Sequence, residues 1–340
     1  MGNFLSLVSV ENTKLWKRLS TKIMLIILAG SLIGIFALLM VQEKTIQNSQ
    51  TTVTVQSSAD GTVIPQQPIG DWKQQLKVED TGLQAQIDTA EKSSLQSAKS
   101  QIGNLKFMLA ENNFRIDNNI KSDGTKDFWY YIITSGVFSI IALFAIIACS
   151  GLVAGEFSDG TMKTMISRPF SRWQILTAKL IPIVIYTIIL TAVSFLAQML
   201  GEVLFLGTKG FNGYQMLYIH GTVMYIPGFC AALITAGLTL ATVIVYVILT
   251  FALSAIFRSR ALATGLSIFL MLAGSFTIFL AMNFSWGKYI LFCDTNFSSF
   301  VTSGAPFYGI TLSFALIISA IYSVVFLAVA YFIFAKRDIC

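Results

Sequence analysis

The sequence predicts an all-α polytopic membrane protein: six transmembrane helices, with an extracytoplasmic, mainly helical domain between the first and the second. Three observations carry this. The chain is 55% hydrophobic and only 12% charged, with a mean hydropathy of +0.71, whereas about a quarter of a soluble domain is charged. Half of the charges, 9 of 23 Lys/Arg and 11 of 17 Asp/Glu, fall between Gln42 and Asp127. The rest of the chain is six apolar runs with short basic flanks. The net charge of +6 therefore reflects the orientation of membrane helices rather than nucleic-acid binding.

Residues 1–22 read as a basic, amphipathic cytoplasmic segment. The first run, 23–41, has no charge in 19 residues, enough at about 1.5 Å per residue to cross a core of about 30 Å. It is too long for a signal-peptide core and has no clean cleavage site, so it reads as a retained anchor. Residues 42–127 form the outer domain. Up to about Gly70 it is rich in Thr, Gln and Ser, with Pro65 and Pro68, which predicts an extended stretch. From Trp72 the pattern is helical. Leu83, Ile87 and Ala90 make one apolar stripe, and Leu95, Ala98, Ile102, Leu105 and Leu109 another, stepping by three and four. They suit either a hairpin or the seam of a dimer.

The second span is placed at 128–154, a cytoplasmic loop at 155–179, the third span at 180–206 and an outer loop at 207–230. Spans four and five follow at 231–257 and 261–283. An outer segment at 284–309, aromatic and small-residue rich, reads as interfacial or partly re-entrant. The sixth span is 310–334 and the tail 335–340. This topology puts Lys14, Lys17, Arg18, Lys22, Lys163, Arg168, Arg172, Lys179, Arg258, Arg260, Lys336 and Arg337 inside, and only Lys209 and Lys288 in the short outer loops. Twelve against two satisfies the positive-inside rule with both termini cytoplasmic.

The cytoplasmic loop "GEFSDGTMKTMISRPFSRWQ" (155–174) is the one charged, Gly- and Pro-punctuated interruption between two long apolar runs. Asp159-Gly160 should break the second span just past Glu156. Met162, Met165 and Ile166 have the spacing of a short apolar helical face, with Lys163 pointing elsewhere. Pro169 should end that turn. Ser171 and Gln174 form a capping box for the next helix, with Phe170 and Ile175 as its hydrophobic staple. Pro182 is placed to kink that helix early. A stiff, capped element between two membrane helices can transmit force from a soluble partner; an ordinary short loop whose charges only set orientation has the same composition.

The pattern Glu156, Gly160-Thr161, Arg168-Pro169, Arg172 and Lys179 after the second of six spans resembles the permease subunits of ABC-2-type transporters. So does the entry "ENTKLWKRLSTKIMLIILAG". The resemblance implies that Asp159 to Arg168 is the helix that docks on a cytoplasmic ATPase, with Met162, Met165 and Ile166 as apolar contacts and Arg168 and Arg172 facing its carboxylates. It also implies a partner ATPase in two copies carrying ATP and Mg, a second permease subunit, a bacterial plasma membrane and export of an amphipathic peptide, antibiotic or lipid-like compound. The outer domain departs from the shortest members. Consistent with a separate motor, the chain has no GxxxxGK[ST] phosphate loop. A membrane sensor or scaffold, binding a ligand with its outer domain and signalling without transport, is the alternative.

Other constellations are sparse. Glu156 should have a buried partner, Arg172 or Lys179. Glu202, the sole acid of the third run, is a candidate for the substrate pathway or for the outer membrane boundary. His220 is the only histidine, and the four cysteines, at 149, 230, 293 and 340, show no ligand spacing, so no metal site and no catalytic residue is predicted.

Overall fold

In the computed structural model the described residues are 4–53, 72–93, 96–121, 127–161, 170–219, 221–281, 284, 286–291, 295–305 and 309–336. The architecture is an all-α bundle with one small β-hairpin. Helix α1 (Phe4–Lys17) lies ahead of α2 (Leu19–Val53). The segment between the first two apolar runs contributes α3 (Trp72–Lys92), α4 (Gln96–Ser100) and α5 (Ile102–Asp117). The bundle continues with α6 (Phe128–Thr134), α7 (Phe138–Ser158) and α8 (Arg172–Phe205). Strands β1 (Tyr214–Ile219) and β2 (Thr222–Pro227) come next, then α9 (Gly228–Phe257), α10 (Arg260–Ala281), the short α11 (Phe297–Thr302) and α12 (Leu312–Lys336).

Among the described residues, five helices are long and apolar enough to cross a membrane: Leu19–Gln42 within α2, and α7, α8, α9 and α12. The fifth expected span corresponds to α10, whose comparably apolar part is the shorter stretch Arg260–Gly274. The chain then folds back into the bundle. The hydroxyls of Tyr246 and Thr295 lie 2.9 Å apart, the Phe297 N–H donates to Thr242 Oγ1 at 3.3 Å, and the Tyr322 hydroxyl donates to the Tyr289 carbonyl at 3.1 Å. Thr242 and Tyr246 stand near the middle of α9, and Tyr322 near the middle of α12. These bonds give backbone groups of the connecting segment partners on α9 and α12.

Three local expectations change. Helix α2 runs on to Val53 instead of giving way to an extended stretch; neither Gly nor Pro occurs between Gly34 and Gly61 to stop it. The second span is two helices. Gly136 takes φ +60° between α6 and α7, and Ser135 Oγ donates to Gln198 Oε1 at 2.7 Å, so the broken turn is held by a side chain of α8. The segment 207–230, expected as a plain loop, holds an antiparallel hairpin with Ile219 opposite Thr222 and Gly221 at φ +85°. His220 and Cys293 lie outside the described residues.

The two outer stripes face one another. Ile87 and Ala90 of α3 pack on Ile102, with Ala98, Leu105 and Leu109 around them. This is an intramolecular helical hairpin. It rests on the β-hairpin through the ring pairs Phe107–Tyr218 and Phe114–Tyr225.

The main core runs through α1, α2, α7, α8, α9, α10 and α12. At the hairpin end, fully buried Trp129 donates from Nε1 to the Phe211 carbonyl at 2.7 Å and packs against Phe128, Phe211 and Phe229. A Cβ on Gly228 would lie 2.0 Å from Trp129 Cδ1, so the start of α9 requires glycine. Gly228→Ala is therefore expected to destabilise the protein by about 1–3 kcal/mol through overpacking, read as a lower unfolding midpoint in detergent. An unchanged midpoint would contradict the packing.

Candidate functional site: a buried ion cluster at the basic end

Helix α1 is amphipathic, and its buried stripe is Leu7, Glu11 and Leu15, one residue per turn. The acid in the middle of that stripe is 0% exposed. A buried carboxylate is tolerated only when it is paired and hydrogen-bonded. Glu11 has both. Its Oε1 accepts from Lys14 Nζ at 2.6 Å and its Oε2 from Lys179 Nζ at 2.8 Å. Glu156, in the last turn of α7, completes the ring: Oε1 accepts from Lys14 at 3.0 Å and Oε2 from Lys179. Two carboxylates and two ammoniums alternate, so the charges balance and all four carboxylate oxygens are engaged. Lys179, also 0% exposed, points back to the Leu152 carbonyl of α7 at 3.5 Å.

The placement of Glu156 is not explained by its own helix. An acid in a C-terminal turn opposes the helix dipole. It is accounted for by Lys179 across the interface. An intact buried ion pair is often no more stabilising than a well-packed apolar pair, but removing one partner is severe. The cluster therefore acts chiefly as a register lock that fixes α1 against the facing ends of α7 and α8. Burial alone would lower the Lys14 pKa, but Glu11 and then Glu156 outweigh it and the value is raised. Its stabilisation is present below the ordinary lysine value and is lost as pH climbs through the raised one.

Around the ring, other polar groups close the same end of the bundle. Arg172, at the first position of α8, donates to the Ala335 carbonyl at 3.1 Å, tying α8 to the last carbonyls of α12. Of the two partners expected for Glu156, Lys179 bonds it, and Lys14 bonds it as well. A Cβ on Gly151 would come within 3.1 Å of Arg18 Nη1 and 3.6 Å of Arg260 Nη2, so two guanidiniums lie over this glycine of α7. The Arg260 N–H also reaches Ser158 Oγ at 3.4 Å, binding α10 to the end of α7.

Residues 159–161 follow directly on this cluster. Asp159 caps α7, with its N–H on the Gly155 carbonyl at 2.8 Å, and Gly160 follows at φ +70°. Thr161 Oγ1 donates to the Glu156 carbonyl at 3.4 Å. All three are exposed. At the far side, the Ser171 N–H donates to Gln174 Oε1 at 3.0 Å in a capping box, and Phe170 and Ile175 join the same apolar core. Helix α8 passes through Pro182 without a break. Met162, Lys163, Met165, Ile166, Arg168 and Pro169 lie outside the described residues.

Glu202 belongs to a different place. It is buried in the last turns of α8, at the hairpin end, where its carbonyl accepts from the Leu206 and Gly207 N–H groups at 2.9 Å. Its neighbour Gly201 abuts the Phe36 ring of α2, which a Cβ would meet at 2.8 Å. Among the described residues Cys149 is buried, Cys230 is exposed, and no group of three or more His, Cys, Asp and Glu could hold a metal. The sequence reading took the N-terminal segment as basic and amphipathic, counted Lys14 only as an inside charge and gave Glu11 no role. The available signal was a carboxylate centred in an i, i+4 apolar stripe.

Fold and site together define a multi-pass, all-α membrane protein with an ion-locked end. The family described as "Protein of unknown function (DUF2705)" matches residues 94–340, and the chain belongs to that family. It is 36% identical over 273 residues to the uncharacterized protein YhcI of Bacillus subtilis (strain 168), covering 79% of this chain and 84% of YhcI. It is also 25% identical over 214 residues to the uncharacterized membrane protein YdbK of the same organism, covering 62% of this chain and 82% of YdbK.

Lys179→Met would leave two buried carboxylates sharing only Lys14. A loss of about 3–5 kcal/mol is expected, read as a marked fall in the unfolding midpoint at pH 7. A midpoint equal to that of the unsubstituted protein would show that the cluster does not form.

Proposed function

We propose that this chain is the permease subunit of an ABC-2-type, ATP-driven exporter in a bacterial plasma membrane, moving an amphipathic or lipid-like compound. ATP and Mg sit on a separate cytoplasmic ATPase present in two copies, and a second permease subunit completes the path. The observation that carries this reading is the ion cluster. It clamps α1 across the ends of α7 and α8, the two helices that flank residues 159–171. A push on that segment meets a capped helix on each side and a charged lock behind them. It is delivered to two membrane helices with little slack. The broken turn at Ser135–Gly136, bonded to Gln198 of α8, gives the same two helices a second linkage near the other end.

In this reading the basic end is cytoplasmic, Asp159, Gly160, Thr161, Met162, Lys163, Met165, Ile166 and Arg168 face the ATPase, and Arg172 anchors the segment to α12. Substituting Met162 and Ile166 together with Asp removes the apolar contacts without touching the ion cluster. Co-purification with the ATPase of a neighbouring reading frame should then fall by tenfold or more, while the permease still folds and inserts. Undiminished association would defeat the docking assignment. Reconstituted vesicles should show cargo movement that stops without hydrolysis; ligand-dependent ATPase activity with no flux would favour the sensor.

A further inference from the structure

At the hairpin end, opposite the ion cluster, the outer domain and the bundle line a half-open cavity of about 500 Å³. That volume is within the range of about 300–1,000 Å³ typical of small-molecule sites. Its walls come from separate parts of the chain: Ile102 of α5, Tyr218 and Ile219 of β1, Phe300 and Val301 of α11, and Ile310 and Thr311 leading into Leu312 of α12. Almost all of this lining is apolar. Lys106 is its sole charged residue among those described.

The cavity is built by close contacts. On one side the Phe107 and Tyr218 rings meet edge to face at 5.6 Å. On the floor, α5 touches the segment after α11 at two glycines. A Cβ on Gly103 would lie 2.5 Å from the Ala305 carbonyl oxygen, and one on Gly304, which has φ +85°, would lie 2.6 Å from the Gly103 oxygen. Phe300 and Val301, which face the cavity, are also buried core residues of the bundle.

We propose that this cavity binds one single-chain amphiphile with a carboxylate head: the chain lies between α5, β1 and α11, and the head pairs with Lys106. The charge pattern selects the head. Lys106 Nζ bonds Glu91 at 3.0 Å, but both side chains are nearly half exposed, at 48% and 45%. Such a surface pair contributes about 0–1 kcal/mol, so an incoming carboxylate can share or replace Glu91 cheaply. The apolar walls select the tail, since burial of hydrocarbon is favourable at about 25 cal/mol per Å² and the lining offers few polar groups to an uncharged polar ligand. The outer helical hairpin is then the cover of the site. Its occupancy is transmitted to α11 and α12 through Phe300, Val301 and the Gly103–Gly304 contact.

The test uses the full chain alone, in phosphatidylcholine nanodiscs, so that its outcome is independent of any ATPase or of transport. A fluorescent long-chain polyene fatty acid and the corresponding alcohol are titrated separately. Saturable binding of one acid per chain is expected, above the partitioning into empty nanodiscs. Lys106→Glu should weaken the acid about tenfold, as expected for loss of one charge-assisted contact, and leave the alcohol within about twofold. Ile219→Trp, which fills the cavity, should weaken both. Partitioning no greater than in empty nanodiscs would overturn the site, and so would an acid affinity that Lys106→Glu leaves unchanged. If Ile219→Trp does not fold, the Lys106→Glu comparison decides alone.

Discussion

Lys179 is a lysine with no contact to water, held between two acids from different helices. Everything at the basic end of the molecule is arranged around it. Isolated, its ammonium would be prohibitively expensive to bury; in place, it forces Glu11 of α1 and Glu156 of α7 to converge on α8. Lys14 then satisfies the remaining oxygens and returns the cluster to neutrality. The consequence is geometric rather than energetic. Apolar faces slide over one another with modest penalty, but a four-membered ring of charges has one register. It specifies how an otherwise apolar helix sits on the ends of two membrane helices.

The two ends of the bundle have different physics. The basic end uses charge: the ring itself, Arg172 on the last carbonyls of α12, and Arg18 and Arg260 over Gly151. The opposite end uses shape: Trp129 on a glycine that admits no side chain, Gly201 against Phe36, and Gly103 against Gly304. Between them, α8 runs the full distance, touching the ring at Lys179 and the broken α6–α7 turn at Gln198. A single continuous helix therefore connects the proposed motor contact to the opposite end of the bundle.

What the sequence made legible were local, periodic features. The apolar runs, the Ser171–Gln174 capping box and the two outer stripes depend on residues within a few turns of each other, and period and cap chemistry encode them directly. Glu156 stood out because an acid beside an apolar run needs a partner. Lys179 was one of the two partners the sequence offered it; that Glu11, 168 residues from Lys179, joins the same lysine is a tertiary fact that no local pattern contains. The hairpin at 214–227 was missed for another reason. Its two strands are only six residues each, and the segment was read simply as a loop between two spans. The α6–α7 break was hidden because Gly136 lies in an apolar stretch whose hydropathy is indifferent to backbone angle.

The most direct measurement of the central constraint is a double-mutant cycle between Glu11 and Lys179, read as unfolding free energy at pH 7. Replacing Lys179 by Met strands two carboxylates, and replacing Glu11 by Leu as well removes one of them and restores an apolar stripe from Leu7 to Leu15. The lock predicts strong non-additivity, with the double variant more stable than Lys179→Met alone. Losses that simply add would mean that Glu11 and Lys179 do not meet, and the coupling of α1 to the two membrane helices would be without foundation.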